Sequence, residues 1–142
     1  MSFGRAASRP EGFPAVRGAD PCPCGSGTAF DGCCAPFLGG VPAPTAERLM
    51  RSRYSAFVVG DERYLAETWH PGTRPETIEL EASTRWTGLE IVATAHGQAG
   101  ERRGTVEFRA KWREGAGTGV LHETSRFVFQ SDRWWYLDGK VE

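Results

Sequence analysis

The sequence predicts an α+β domain with a small metal-binding knuckle at its N-terminal edge, and three observations point there. Apolar residues recur at helical spacing through residues 45–70, strand-like alternation broken by turn residues fills 86–139, and all four cysteines fall between Cys22 and Cys34. Helices first and a run of antiparallel strands afterwards place the helices across one face of a curved sheet. At 142 residues the chain is long enough to bury a core without staples. The expected organisation is a flexible tail over 1–20, the knuckle over 21–40 and the α+β domain over 44–142.

The first twenty residues are rich in Gly, Pro, Ala and Arg. They offer little apolar surface to pack, so they should be extended or mobile unless they lie along the domain. They contain no apolar stretch of the kind a secretory signal needs, and nowhere does an apolar run approach the roughly 20 residues that cross a bilayer. A cytoplasmic protein without a membrane span is expected. The formal net charge of -1 supplies no long-range positive field, so nucleic-acid binding would need a local patch.

The cysteines stand as Cys22-Pro-Cys24, eight residues, then Cys33-Cys34. In a reducing cytosol such a cluster is better explained by metal than by disulfides. Adjacent cysteines bridge each other only with strain and C-x-C is nearly as awkward, while bridging from one pair to the other remains an alternative. Four thiolates close a tetrahedron around one Zn²⁺ and leave no position for water, which makes a structural ion the expectation. Gly25-Ser26-Gly27 lets the chain reverse tightly and offers backbone N–H groups to the sulfurs of the first pair.

After a breaker-rich linker containing Gly39, Gly40, Pro42 and Pro44, Thr45 is placed to cap a helix with Glu47 in its first turn. Leu49, Met50, Phe57 and Val58 mark that helix, and Gly60 suits its end. Asp61 starts a second, short helix carrying Tyr64, Leu65, Thr68 and Trp69, which His70-Pro71 should end. Strands are expected over Trp86–His96, Gly104–Trp112, Gly119–Gln130 and Trp134–Gly139. In the second, Val106, Phe108, Ala110 and Trp112 alternate with Glu107, Arg109 and Lys111, so one face is packed and the other wet.

The chain carries two resemblances. Cys22-Pro-Cys-Gly-Ser-Gly-Thr-Ala-Phe-Asp-Gly-Cys-Cys34 resembles the SEC-C motif, the zinc knuckle at the C-terminus of the SecA translocation ATPase, in which the fourth ligand is often histidine where this chain has Cys34. Residues 44–57, Thr68-Trp-His-Pro71, Ser125-Arg-Phe127 and Trp135-Tyr-Leu-Asp-Gly139 together resemble the YchJ family of bacterial proteins, from about residue 20 to the C-terminus. The resemblance implies a SEC-C knuckle followed by a cone-shaped domain of the cystatin-like, or nuclear transport factor two-like (NTF2-like), class. It also implies contacts like those of SecA knuckles with the chaperone SecB and the ribosome, often made through basic residues. Between Pro21 and Glu47 this chain has no Lys or Arg, which argues against RNA binding by the knuckle itself.

Inward-pointing polar residues of such a cone are the natural site candidates. Arg53 lies in line with Leu49 and Phe57, and Glu123 alternates with Leu121, Phe127 and Phe129, so Arg53 is expected to pair with Glu123 or with Asp138 near the chain end. A buried pair of this kind more often fixes a helix on a sheet than performs chemistry. Were it the floor of a pocket, Trp69, Trp86, Trp135 and Tyr136 would supply aromatic walls, although the same residues equally make a core. His70, expected to cap the second helix, His96, and His122, expected to face outward, share no spacing with the cysteines or each other. No phosphate loop, nucleophile elbow, dinucleotide fingerprint or H-E-x-x-H run is present, so no catalytic set can be assigned. The leading expectation is a zinc-knuckle interaction module that docks another protein through Phe30, Phe37 and Leu38. The alternative is a small-molecule-binding protein, or a hydrolase or isomerase, that uses a pocket in the cone, and a purely structural knuckle is the third.

Overall fold

A computed structural model describes residues 11–142 of the chain. The first ten residues of the expected tail lie outside the described residues. A 3-10 turn at Phe30–Gly32 is followed by α1 (Ala35–Leu38), α2 (Ala46–Val59) and α3 (Glu62–Glu67). Then come β1 (Arg85–His96), β2 (Arg103–Glu114), β3 (Gly117–Gln130) and β4 (Arg133–Val141), a four-stranded antiparallel sheet in the order β1-β2-β3-β4. This is the α+β architecture expected from the pattern, and the one that the resemblance implies.

The helix boundaries follow from their caps. Thr45 Oγ1 accepts the Arg48 N–H at 3.1 Å, and Gly60, at φ 78°, takes the left-handed conformation that stops α2. A side chain at Gly60 would also strike the ring of Phe13, whose Cγ would lie 2.6 Å from a Cβ there. Asp61 Oδ1 caps α3 by accepting the Tyr64 N–H at 3.0 Å. α3 stops at Glu67, short of His70-Pro71, because Trp69 leaves the helix to run beside β4. The Tyr136 N–H donates to Thr68 O and the His70 N–H to Tyr136 O, both at 2.8 Å.

Strand alternation holds on β2: Val106, Phe108 and Ala110 are buried, whereas Arg109 and Lys111 are exposed. Trp112 ends that face half-buried, its indole lying over Gly119 on β3, where a Cβ would collide with it. The sheet bends at register shifts after Trp86 and Ile91 on β1 and between the Arg126↔Asp138 and Phe127↔Tyr136 pairs of β3 and β4. β3 turns into β4 through Ser131 and Asp132, both at positive φ, which suits the twist of a two-residue hairpin.

One core runs from the cysteines through α2 to the sheet, with Cys24, Cys34, Leu49, Leu65, Val106 and Phe127 among its deepest members. α2 is therefore covered on several sides. Its buried hydroxyls find partners there: Ser52 Oγ donates to Leu49 O at 2.9 Å and meets Tyr64 Oη at 2.7 Å. Residues 11–20 lie along the domain, pinned by the Phe30 N–H to Asp20 O at 2.8 Å and the Asp31 N–H to Gly18 O at 2.9 Å.

Candidate functional site

Two sites share α2. At the first, the four cysteine sulfurs lie within 4.8 Å of one another, all four residues are buried, and all four thiols are free. Cys24 and Cys33 sulfurs are 3.6 Å apart and those of Cys33 and Cys34 4.0 Å. Bonds of about 2.3 Å to a central zinc give tetrahedral edges of about 3.8 Å, so the donors fit a tetrahedral metal. Their protonation equilibria say the same. Hydrogen bonds with Cys22 and Cys34 hold the Cys24 thiol far below the usual range, while bonds with Cys22 and Cys24 drive Cys34 far above it and burial raises Cys33. Packed thiols cannot all ionise together without a cation among them.

The surroundings complete the site. Gly25 and Gly27 take positive φ and fold the loop so that Ser26 Oγ reaches Cys33 Sγ at 3.0 Å. From α2, Ser55 Oγ stands 3.7 Å from Cys22 Sγ, and Arg51 Nη1 donates to Cys24 O at 2.8 Å, bringing a positive charge to a site that gathers negative charge. Arg51 and Ser55 are spaced i, i+4 on one face of α2, a pattern visible in the sequence but tied to the cysteines only by the fold. Of the expected docking residues, Phe37 is buried in the core, 5.0 Å from the Arg48 guanidinium, and Phe30 and Leu38 are half-buried against it. These three side chains are not an exposed anchor set.

The second site is a partly open cavity of ≈ 260 Å³ between α2 and the concave face of the sheet. α2 contributes Met50, Arg53, Tyr54 and Phe57, Trp69 follows α3, and the strands supply Trp86, Phe108, Ala110, Leu121, Glu123, Ser125 and Tyr136. Of the seven expected pocket residues, Arg53, Trp69, Trp86, Glu123 and Tyr136 meet here. Arg53 is 3% exposed; its Nη1 donates to Leu65 O at 2.8 Å and Thr68 Oγ1 at 2.6 Å. Its guanidinium carbon lies 4.3 Å from the ring centre of Tyr136 and 5.3 Å from that of Trp69. Burial pushes Arg53 down to about 10, so it stays charged at neutral pH.

Two expectations are corrected here. Arg53 pairs directly with neither acid: Glu123 lies at the hydroxyl of Tyr136, where its Oε2 accepts from Ser125 Oγ at 2.9 Å and Tyr136 Oη at 3.5 Å. Gly139 makes room for that carboxylate, since a Cβ there would collide with it. Asp138 and Trp135 face away from the cavity. Strict alternation from Trp134 would turn Asp138 inward, but the bulge at Leu137 inserts one residue and sends it out to Arg126, whose Nε and Nη2 it accepts at 2.7 and 2.6 Å. Trp135 instead stacks with Arg133 at 4.1 Å, and its Nε1 donates to Gln130 O. Ser125 could have been found from its two-residue spacing to Glu123; the α2 contributors Tyr54 and Phe57 follow from the face of Arg53.

No histidine lines the cavity. His122 Nε2 meets Glu107 Oε2 at 2.7 Å on the outer sheet face, His96 Nδ1 meets Glu101 at 3.2 Å in the β1–β2 turn, and His70 bonds Gln130. Nor does His70 cap α3; its Nδ1 accepts the Gly72 N–H in the turn that follows. No helix among the described residues is long and apolar enough to cross a membrane.

Comparison with known proteins agrees with this architecture. Residues 45–139 match the model of the YchJ middle NTF2-like domain. A UPF0225 protein of Streptomyces coelicolor is 54% identical over 84% of this chain and 94% of its own length. Another, from Chromobacterium violaceum, is 46% identical over 84% and 92%. The solution structure of RPA3114, a SEC-C motif containing protein from Rhodopseudomonas palustris, superposes with a TM-score of 0.75 at 32% identity, covering 87% of this chain and 99% of that one. The crystal structure of a SEC-C motif containing protein from Psychrobacter arcticus gives a TM-score of 0.72 at 32% identity, covering 88% and 84%. With a cysteine cluster fit for a metal packed against an NTF2-like domain, and with relatives aligned over most of its length, the chain belongs to the YchJ (UPF0225) family.

Proposed function

We propose that this protein binds a small molecule in the cavity of its NTF2-like domain, and that the knuckle holds one structural Zn²⁺ that braces α2. The observation that carries this is Arg53: a buried cation on the cavity wall, bonded through Nη1 alone among the described residues and without a contacting carboxylate. A residue that served only to fix helix on sheet would be expected to use its fork on a paired acid. Apolar walls with a few convergent polar groups are the usual make-up of a ligand site, and ≈ 260 Å³ falls just below the range of about 300–1,000 Å³ for drug-sized ligands, which suits a small one. Docking of a partner on the knuckle is less favoured, because Phe37 faces inward.

Zinc suits the site better than other metals because four sulfurs in a closed tetrahedron are its usual structural environment. The cytoplasm, where thiols stay reduced, is the compartment in which such a cluster would load. A panel of neutral, acidic and basic aromatic fragments, followed in ¹H–¹⁵N spectra, tests the cavity. Shifts should concentrate on the indole signals of Trp69 and Trp86 and spare those of Trp112 and Trp135. Shifts confined to the outer sheet face would refute a ligand site between helix and sheet.

A further inference from the structure

Resting on the cavity reading, we propose that the ligand is a small flat molecule with a neutral polar edge in which a carbonyl oxygen stands beside an N–H or O–H donor, as in a carboxamide or lactam. The polar side chains of the cavity dictate that edge. Arg53 has Nε and Nη2 left to donate, since its hydrogen bonds among the described residues run through Nη1. Glu123 accepts through Oε2, leaving Oε1 as an acceptor. The ring of Tyr136 spans the two, 4.3 Å from the Arg53 guanidinium and with its hydroxyl 3.5 Å from Glu123. One donor fork and one acceptor therefore line the same cavity, with Tyr136 in contact with both.

Charge narrows the class further. Among the described residues, Arg53 and Glu123 are the only Arg, Lys, His, Asp or Glu that line the cavity, so the wall carries one charge of each sign. A carboxylate ligand would meet Arg53 but be repelled by Glu123, and an ammonium would meet the reverse. A neutral edge with an acceptor and a donor satisfies both groups without bringing a third charge into a poorly hydrated site. Trp69, whose ring centre lies 5.3 Å from the Arg53 guanidinium, adds an aromatic face beside that edge. The remaining wall, including Phe57, Trp86, Phe108 and Leu121, is apolar and suits a planar ring.

Three probes of one shape separate the alternatives: benzamide, benzoate and acetophenone, each titrated into the metal-loaded full chain and followed at the tryptophan indole signals. Benzamide should bind at least about tenfold more tightly than either of the others. Glu123→Gln, which keeps the side-chain shape and removes the charge, should tighten benzoate and shrink the benzamide advantage. Equal affinities in the wild type would overturn the ligand class while leaving the cavity reading in place. Tightest binding by benzoate, or unchanged ratios in Glu123→Gln, would also overturn the class. If none of the three disturbs Trp69 or Trp86, the cavity reading falls with it.

Discussion

The knuckle and the cavity lie on separate faces of α2 and are held by different physics. On one face, Arg51 and Ser55 meet a cluster of four buried sulfurs placed to hold a metal. On the other, Met50, Arg53, Tyr54 and Phe57 meet a sheet that stays ordered through its own hydrogen bonds and apolar packing. The first region packs its four donors tightly around one point, whereas the second keeps an internal space lined by a cation that the described residues bond through Nη1 alone. Closure suits support, and the unfilled space suits binding.

The largest expected effect separates these regions. Structural zinc contributes on the order of 10–16 kcal/mol in small modules at neutral pH, so chelation should disorder residues near 20–40. Most of the shared core lies between α2, α3 and the sheet, away from the sulfurs, so the sheet should survive, which dispersion of β2 and β3 amide signals in ¹H–¹⁵N spectra would report. Collapse of the whole spectrum would mean that the two regions form one cooperative unit. Arg53→Ala comes next. It leaves a void and strips partners from Leu65 O and Thr68 Oγ1, and denaturant unfolding should show a loss of about 3 kcal/mol. Gly139→Ala should cost about 1–3 kcal/mol through collision with the Glu123 carboxylate, and should weaken any ligand that Glu123 holds.

Alkaline pH sharpens the contrast on the cavity side. Burial pushes Tyr54 and Tyr136 up to about 12. A raised tyrosine contributes stability that is fully present below its unfolded value near about 10 and lost as pH climbs toward 12. Arg53, pushed down to about 10, acts oppositely: burying its charge costs stability below that pH, and the cost fades above it. Two tyrosines outweigh one arginine, so stability should fall between pH 10 and 12. In Arg53→Met, which lacks the compensating group, the fall measured by thermal melts should be steeper. The smallest effect is expected at Asp138→Asn, which loosens an exposed pair with Arg126 and should leave cavity binding untouched.

How much of each region could be read beforehand follows from the same contrast. The four cysteines lie within thirteen residues, and thiolate chemistry at that spacing is local, so the convergence of Cys22, Cys24, Cys33 and Cys34 on one candidate metal site was legible without a fold. The caps at Thr45, Gly60 and Asp61 were equally local, as was the alternation of Val106, Phe108 and Ala110. The cavity joins residues as distant as Met50 and Tyr136, and its membership depends on registers that no short window contains. Arg53 and Glu123 could be placed inward by spacing alone, but the lack of a direct pair between them could not. Asp138 shows the limit most plainly, because a single inserted residue at Leu137 reverses the face that alternation assigns.

Filling the cavity tests its role most directly. Ala110 is buried on its wall, and Ala110→Phe would occupy the space while leaving Arg53, Glu123 and the knuckle in place. Benzamide titrated into the folded, metal-loaded variant should produce no shift at the Trp69 or Trp86 indoles, where the wild type responds. Binding retained at wild-type affinity would show that the ligand sits elsewhere and that this cavity does not serve it.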